Sequence, residues 1–569
     1  MNSSGLLLGA AVLCALAIPA AGARAGDVDT GAMVMRMAPM PGVYMGEADK
    51  PGAPLFKGLG DHHHAISTKN PDTQRFFDQG VKLLFGFNHA EAIRSFREAA
   101  RLDPGCAMCW WGVSFALGPN INLAMPDDAV KPAWEALAKA RALEAKASPE
   151  EKAWIEALAT RYSADPKADR KAMDEAFAKA MGELWRAWPD DLDAGVFFAE
   201  AMMDTQPWDY WQADAVTPKG HGGETISVLE SVIKRAPDHP GALHLYIHAV
   251  EASTTPQRAE AAADRLETLM PGAGHIVHMP SHIYYRVGRY AEAARVNELA
   301  ATVDEDYIAA CKAQGFYPAG YYGHNIHFLW ASSEMQGRFG AALDASRRLV
   351  KAVDATELAK TLPFGELYAF TPTATLLRFG KWREVLAEPA PPDGLTLDKA
   401  VWLYARGFAH ANTGQSKSAA DDRDRLADLI TADYSRYDAA GIPASKMLLL
   451  SLTLLDGEIA RTSGHMEAAI ALFRKAAAIE AALPYNEPPF WHQPVSHILG
   501  AALLEAHRPA EAEAVYRESL KTYRQDGWAL FGLWRALDAQ GRKAAAAQVK
   551  AEFTRAWSMA DVELASSRF

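Results

Sequence analysis

Cysteine is scarce in this sequence. The 569 residues include only 4 cysteines, and one of them, Cys14, lies in an apolar segment at the N-terminus. A disulfide framework cannot hold a chain of this length together, so its stability has to come from packing. Cys106 and Cys109 form a C-x-x-C pair, but Trp110 stands where covalent haem attachment requires a histidine. A local disulfide, an inert reduced pair and a metal-binding role are all compatible with this pair.

Positive charge is also in deficit. The chain has 58 Lys and Arg against 70 Asp and Glu, a formal net charge of −12. The acidic residues are scattered rather than grouped, which is typical of a solvated surface. Because binding to a phosphate backbone requires a basic surface, the sequence predicts no nucleic-acid partner.

Long hydrophobic runs are missing. The apolar run from Leu6 to Ile18 is too short to span a bilayer, and no later segment approaches the necessary length. Small residues follow it, and Ala21-Gly22-Ala23 and Ala23-Arg24-Ala25 both suit a signal peptidase. We therefore expect residues 1–25 to be a signal peptide, although its start carries no positive charge. The mature protein is then periplasmic or secreted, with no integral membrane segment.

Familiar catalytic motifs are absent as well. The sequence contains no H-E-x-x-H zinc motif, no G-x-S-x-G nucleophile elbow and no phosphate-binding P-loop. Strand signals are nearly absent. These absences argue against zincins, α/β-hydrolases and P-loop nucleotide hydrolases.

Residues 26–72 have no helical periodicity and predict an extended arm. The first part is rich in Gly, Pro and Met, and the arm closes with three consecutive histidines, His62, His63 and His64. Methionine thioethers are soft ligands that can pass copper ions, but they also serve as flexible apolar filler. The three histidines are either solvated or fold back to complete a site elsewhere.

A repeat of 34 residues is the most informative feature of the remainder. His244 and His248 recur 34 residues later as His278 and His282, and prolines at 237 and 271 keep the same register. A period of 34 residues is typical of a helix–turn–helix unit that stacks into a solenoid.

Turn motifs extend the repeat along most of the chain. Gly288-Arg289-Tyr290-Ala291-Glu292-Ala293 is one copy, further copies begin at Gly337, Gly380, Gly414, Gly464 and Gly541, and Arg508-Pro509-Ala510-Glu511-Ala512 is a degenerate one. The first repeat has Gly80, Leu83, Ala92, Phe96, Ala99 and Pro104 in the expected slots. The chain therefore resembles an exported bacterial-type tetratricopeptide-repeat protein with a histidine-rich concave face. The resemblance implies an all-α, right-handed solenoid of about twelve helix pairs over residues 73–569, with histidine-rich repeats at about 240–365.

The same resemblance places a set of polar residues on the concave face. Three adjacent helices supply the candidate metal ligands: His244, His248, Glu251, His275, His278, His282, His324 and His327. Imidazoles from neighbouring helices can share an ion, because packed helix axes lie only about 8–10 Å apart. Pro280 must either begin or kink the helix that carries His282.

The types of ligand narrow the identity of the metal more than they narrow the type of reaction. Imidazoles with an occasional carboxylate suit copper, zinc or iron rather than calcium or magnesium. We expect one or two transition-metal ions, with copper favoured, and an oxidoreductase is favoured over a zinc or dinuclear hydrolase if the protein is an enzyme. The alternative is a metal-free periplasmic scaffold. In the scaffold alternative the groove binds a peptide. In the metal-dependent enzymes its partner is a small molecule.

Overall fold

A computed structural model describes Tyr44 and residues 48–50, 52–165, 167–311 and 316–569. The expected signal peptide and most of the methionine-rich segment lie outside these residues. Within the described ranges, no helix is long and apolar enough to cross a membrane.

The described residues form twenty-eight α-helices and only isolated β-bridges. The first fourteen are α1 Pro71–Phe85, α2 His89–Leu102, α3 Ala107–Ala116, α4 Asp127–Ala142, α5 Pro149–Ala159, α6 Arg170–Ala187, α7 Leu192–Thr205, α8 Gly222–Arg235, α9 Pro240–Glu251, α10 Glu260–Leu269, α11 Gly274–His278, α12 Pro280–Val287, α13 Tyr290–Cys311 and α14 Gly323–Met335. The remaining fourteen are α15 Phe339–Ala352, α16 Ala355–Thr361, α17 Gly365–Ala369, α18 Thr371–Arg378, α19 Trp382–Ala387, α20 Thr396–Asn412, α21 Ser416–Leu429, α22 Ser435–Asp438, α23 Ala444–Thr462, α24 Met466–Ala481, α25 Val495–Glu505, α26 Pro509–Thr522, α27 Gly527–Ala539 and α28 Lys543–Ala556.

Helices pack mainly against their neighbours in sequence, with the most extensive contacts within pairs such as α1–α2, α20–α21 and α23–α24. Short turns join the members of each pair. This is an all-α solenoid of the tetratricopeptide type, and the fold class predicted from the repeat is confirmed.

The turn glycines explain how these pairs are made. Six of them adopt a left-handed backbone conformation: Gly288 (φ 85°), Gly337 (68°), Gly380 (63°), Gly414 (75°), Gly464 (81°) and Gly541 (74°). A residue without a Cβ enters this region at little cost, so glycine ends the first helix and reverses the chain.

Two repeats make the same turn without glycine. Phe87 (φ 53°) and His507 (φ 56°) hold the turn position in front of Asn88 and Arg508. A left-handed conformation is strained for residues with a Cβ, and most of all for bulky ones. His507 is exposed, whereas Phe87 is buried in the protein interior.

We expect His507→Gly to stabilise the protein by about 1 kcal/mol, because it removes this strain without removing a buried contact. The matched control is Gly464→Ala, since a Cβ at Gly464 would touch nothing within 4 Å. That change adds only backbone strain, and we expect it to destabilise by a similar amount. Urea unfolding of both variants measures the free energy of unfolding. It must rise for His507→Gly and fall for Gly464→Ala.

The C-terminal repeats fold back onto the middle of the chain. The Trp528 indole N–H donates to the carbonyl of Glu334 at 3.0 Å, and Arg378 donates to the carbonyl of His492 at 2.7 Å. Asp561 accepts from the Phe339 amide at 2.6 Å. The solenoid is therefore closed by contacts between repeats that are far apart in sequence.

The end of the N-terminal arm is docked on the helices. The Phe56 amide donates to Gln79 at 2.8 Å, and the Gly272 amide donates to the Gly58 carbonyl at 2.8 Å. A Cβ on Gly272 would lie 2.3 Å from the Lys57 carbonyl oxygen, so this approach requires glycine.

Cys106 and Cys109 are joined by a disulfide at the start of α3. Of the three roles that the sequence allowed for this pair, the structure has the local disulfide. Because the bridge spans a single helical turn, it closes a very short loop and constrains little of the fold.

Candidate metal centre

Four helices bring the candidate ligands together at the centre of the protein. All twelve residues of α9 are buried, and this helix carries His244, His248 and Glu251. A helix that is buried on every side lies in the interior, so its polar side chains face other protein groups rather than water. The other ligands come from α11, α12 and α14.

Pro280 begins a helix rather than kinking one. Helix α11 ends at His278, and Pro280 occupies the first turn of α12, where its missing N–H costs no hydrogen bond. Met279 between them keeps a helical backbone conformation, so His278 and His282 still face each other, with their Nε2 atoms 2.8 Å apart.

The first histidine triad consists of His244, His248 and His275. Each offers a ring nitrogen that lies within 4.8 Å of those of the other two. His244 Nδ1 donates to the Phe85 carbonyl at 2.6 Å, and His248 Nδ1 donates to Glu251 Oε1 at 2.7 Å. These bonds fix the tautomers, so both Nε2 atoms present lone pairs. The two Nε2 atoms and both nitrogens of His275 are buried without a hydrogen-bond partner among the described residues.

The second triad consists of His278, His282 and His324, again with one ligand nitrogen each within 4.8 Å of the others. His278 Nδ1 donates to Asn297 Oδ1 at 2.6 Å, and the Asn297 amide is oriented by the Ala293 carbonyl. His282 Nδ1 donates to Glu251 Oε2 at 2.6 Å. The Nε2 atoms of His278 and His282 therefore face the interior of this triad.

Glu251 connects the two triads. Its Oε1 accepts from His248 in the first triad and its Oε2 accepts from His282 in the second. A carboxylate behind an imidazole fixes the tautomer and raises the basicity of the outward nitrogen, as is usual behind metal-binding histidines. The sequence predicted Glu251 as a ligand: its carboxylate lies within 4.8 Å of ring nitrogens of His248 and His282, so these three also form a group that could hold an ion.

A phenylalanine packs against each triad. The Phe87 ring centroid lies 4.7 Å from that of His244 and 5.5 Å from that of His275. The Phe328 ring lies 4.9 Å from that of His282. These rings restrict the rotation of the imidazoles and exclude water from their sides.

We expect Phe87→Gly to destabilise the protein by about 3–5 kcal/mol, because it leaves a cavity beside the first triad. It relieves the same backbone strain as His507→Gly, yet we expect it to lower the free energy of unfolding rather than raise it. Thermal unfolding of the two variants side by side measures this. Equal stabilisation would show that Phe87 contributes no packing to the triad.

Burial keeps most of these histidines neutral. Burial and the neighbouring imidazoles hold the pKa values of His244, His275 and His278 well below their usual value. Burial also lowers the pKa values of His248 and His324. Neutral imidazole is the form that binds a metal, so five of the six histidines are in the binding form at neutral pH.

His282 is the exception. Burial lowers its pKa, but the carboxylates of Glu251 and Glu487 outweigh burial and raise the pKa to about 10. Burial raises the pKa of Glu487 to about 7, with Glu251 adding to the effect. Burial opposes ionisation of Glu251 as well, but His282 and His248 hold its pKa below the usual range.

Both triads border one small chamber of about 60 Å³. Its wall is largely aromatic, with Trp208, Phe316, Tyr321, Phe364, Tyr368 and Tyr485. A loop from far along the chain closes it, because the Tyr485 hydroxyl donates to Glu251 at 3.2 Å and to Glu487. Glu487 Oε2 lies 3.3 Å from His282 Nδ1.

Of the eight residues that the sequence singled out, the structure brings six histidines into the two triads and sets Glu251 between them. His327 lies apart: its ring stacks on Trp330 at 5.1 Å, and it belongs to neither triad. Burial lowers the pKa of His327 to about 3.

Sequence reasoning missed Phe87, Asn297, Tyr485 and Glu487. Phe87 carries a signal in the repeat, because it stands where the other turns have glycine. Tyr485 and Glu487 lie in a segment dense in proline and aromatic residues. This composition predicts a loop but does not show which part of the protein the loop contacts. Nothing in the pattern around Asn297 distinguishes it from an ordinary helical residue.

Comparison with known proteins adds little. No family model matches the chain, and no curated protein matches it. Solved structures with some similarity include human IFIT1 bound to m7Gppp-AAAA (12% identity, 86% of this chain and 90% of that one, TM-score 0.30), Cut9 from the Cut9–Hcn1 heterotetramer (13%, 82% and 76%, 0.29) and yeast Tom70 (11%, 84% and 90%, 0.28). TM-scores at this level carry no information about what this chain binds.

Proposed function

We propose that the protein binds two transition-metal ions, one in each histidine triad, and that it is a copper-dependent oxidoreductase. The observation that carries the proposal is the set of buried ring nitrogens in the first triad that lack a hydrogen-bond partner among the described residues. A buried polar atom without a partner is costly, and a bound ion would remove that cost for several atoms together.

The donor set favours copper. Each triad offers three imidazoles, and imidazole suits copper, zinc and iron. Glu251 already accepts hydrogen bonds from two histidines and from Tyr485, so it is not free to act as a base toward zinc-bound water. Copper would supply one-electron chemistry with dioxygen or a small reductant.

The chain's own residues would prepare this chemistry. Phe85 and Glu251 fix the tautomers of the first triad through His244 and His248, and Asn297 fixes that of His278. Glu251 orients His282, which would give up its Nε2 proton to bind an ion. The chamber of about 60 Å³ admits only small molecules and cannot hold an extended peptide, which argues against the scaffold alternative for this site.

A metal-dependent hydrolase is the second candidate. The observation that favours it is Glu487, a buried carboxyl in the chamber wall whose Oε2 lies 3.3 Å from His282 Nδ1. A carboxyl group beside a metal site can take and return a proton during turnover. Glu487→Gln should then abolish hydrolysis but leave dioxygen consumption within about threefold.

Export is part of the proposal. The apolar run at residues 6–18 and the small residues after it support a signal peptide, and the Cys106–Cys109 disulfide suits an oxidising compartment. We propose a periplasmic or secreted location. N-terminal sequencing of protein from osmotic-shock fluid should begin near Arg24 or Gly26.

The decisive experiment is metal analysis of the full chain made without a polyhistidine tag and reconstituted separately with copper, zinc and iron(II). His275 and His324 are the positions to change, since neither ring forms a hydrogen bond with another described residue. We expect His275→Ala and His324→Ala each to lose one ion per chain, and the double variant to lose two. His327→Ala is the matched control and should lose none.

The same samples test the reaction. Copper-loaded protein should consume dioxygen in the presence of a small reductant, and the double variant should not. Retention of all ions by the double variant would overturn the metal proposal. Metal binding without dioxygen consumption, together with ester hydrolysis by the zinc form, would favour the hydrolase.

A further inference from the structure

A second group of histidines surrounds a single buried carboxylate, away from the two triads. Asp193 near the start of α7 receives three imidazoles. Its Oδ1 lies 2.9 Å from His239 Nε2 and 3.1 Å from His62 Nε2, and its Oδ2 lies 2.7 Å from His64 Nδ1. His62 and His64 belong to the N-terminal arm, so the arm histidines do fold back onto the helices.

We infer that His62, His239 and Asp193 form a zinc site that fastens the N-terminal arm to the solenoid. One ligand atom of each lies within 4.8 Å of the other two, and the rings of His62 and His239 have centroids 4.8 Å apart. Imidazole nitrogen and carboxylate oxygen are ordinary zinc ligands, and three protein ligands leave one position for water.

The spacing is that of ligands around a small ion. Bonds of about 2.0–2.1 Å in a tetrahedron place neighbouring ligand atoms about 3.3 Å apart. The contacts from Asp193 Oδ1 to His239 and His62, at 2.9 and 3.1 Å, need to widen only slightly. His64 on the other carboxylate oxygen would hold Asp193 in orientation, as second partners of metal ligands do.

Zinc binding requires a proton to move on each imidazole ligand, because His62 Nε2 and His239 Nε2 both carry the hydrogen that faces Asp193 in the metal-free site. His239 caps α9, where its Nδ1 accepts from the Ala242 amide at a long 3.3 Å, so without an ion its Nε2 carries the hydrogen. When Nε2 binds the ion, the hydrogen moves to Nδ1 and this weak cap is lost. The ring stays neutral, and the ion replaces the hydrogen that faced Asp193.

The surroundings favour a cation. A cavity of about 1250 Å³ adjoins the cluster, and its wall includes the acidic residues Asp61, Glu150, Asp190, Asp191 and Asp238. Asp190 and Asp238 are paired with arginines, and the remaining carboxylates add negative charge that raises the local concentration of cations. Asp190 is fully exposed, so the cavity is open to solvent at that edge.

Zinc alone is the probe, and the His275→Ala/His324→Ala protein is the background, because it removes one ligand from each triad. After equilibrium dialysis, we expect this background to retain one zinc ion per chain at this site. Adding His62→Ala and His239→Asn should remove that ion. Asparagine at 239 keeps an N-cap acceptor for α9. His63→Ala is the matched control and should retain the ion, since His63 pairs with Asp78 instead.

Proteolysis gives an independent measurement of the same site. Zinc at about ten times its Kd should slow trypsin cleavage after the exposed Lys57 about tenfold in the background and in His63→Ala. It should have no effect once His62 and His239 are replaced. If that variant unfolds, His62→Ala alone, on the partly exposed arm, should still weaken zinc binding at least about tenfold.

Absence of zinc from the background, or its full retention after both replacements, would overturn the inference. These outcomes are distinct from failure of the triads. If the triads bind no metal in the unaltered protein, one zinc ion that depends on His62 and His239 still supports this site.

Discussion

Replacing Glu251 by Gln is expected to weaken metal binding at both triads together, by about 10–100-fold at each. The carboxylate accepts from His248 on one side and from His282 on the other, at 2.7 and 2.6 Å. An amide has one acceptor oxygen, so its NH2 group must face one of the two histidine N–H groups. That imidazole loses its orientation, and the other loses the negative charge that raised its basicity.

The substitution also destabilises the metal-free protein, by about 3–5 kcal/mol, because charged His282 loses its main partner in the interior. Titration of copper or zinc into the variant measures the affinities, and circular dichroism checks the helical content. Glu230→Gln is the control, since Glu230 is exposed and bonds to Tyr246 and Arg258, away from both triads. Loss of affinity at one triad alone would contradict the shared role of Glu251.

Tyr485→Phe separates the shared carboxylate from the loop that covers it. It removes the hydroxyl that donates to Glu251 at 3.2 Å but leaves both histidine bonds in place. We expect affinity to fall by no more than about tenfold, well short of the Gln variant.

The second large effect concerns Glu458. Its side chain is fully buried and accepts from Arg568 at 2.5 and 2.6 Å, from Arg461 at 2.9 Å and from Asn412 at 2.8 Å. Glu458→Gln leaves the two arginines without their shared anion, and we expect a loss of about 3–5 kcal/mol at pH 7. Glu505→Gln is the control: Glu505 pairs with Arg461 while half exposed, so the loss should be below about 1 kcal/mol.

The stability that Glu458 contributes depends on pH. Burial raises its pKa, but the two arginines outweigh burial and lower the pKa from 4.5 to about 2. The folded pKa lies below the unfolded one, so the contribution is present above about pH 4.5 and is lost as the pH falls toward 2. Urea midpoints of the two proteins should therefore converge between pH 5 and pH 2. A difference that stays constant over this interval would contradict the assignment.

The sequence predicted the features that repeat. A period of 34 places His244 and His278 at equivalent positions of successive units, and stacked units bring equivalent positions together. The turn glycines follow from the same pattern, because the left-handed turn is required once in each pair. His327, only three residues from His324 on α14, shows the limit: the pattern locates a face of a helix but not which side chains converge.

Contacts that do not repeat along the chain could not be predicted from the sequence. Tyr485 meets Glu251 across 234 residues, and this encounter depends on how the whole superhelix curves. The same applies to the Phe85 carbonyl, which accepts from His244 across 159 residues. Backbone acceptors leave no trace in a sequence, since every residue has one.

Closure of the solenoid changes how the protein can come apart. In an open repeat array each unit touches only its neighbours, so the ends fray and unfold in stages. Here α1 lies against α9, and Trp528 bonds back to Glu334, so neither terminal repeat can leave without breaking contacts in the middle. Amide hydrogens near both ends should therefore exchange as slowly as those of α9, and exchange there should require opening of the whole molecule. An ion held in the triads would then leave through a local opening of the chamber wall rather than by fraying of a terminal repeat.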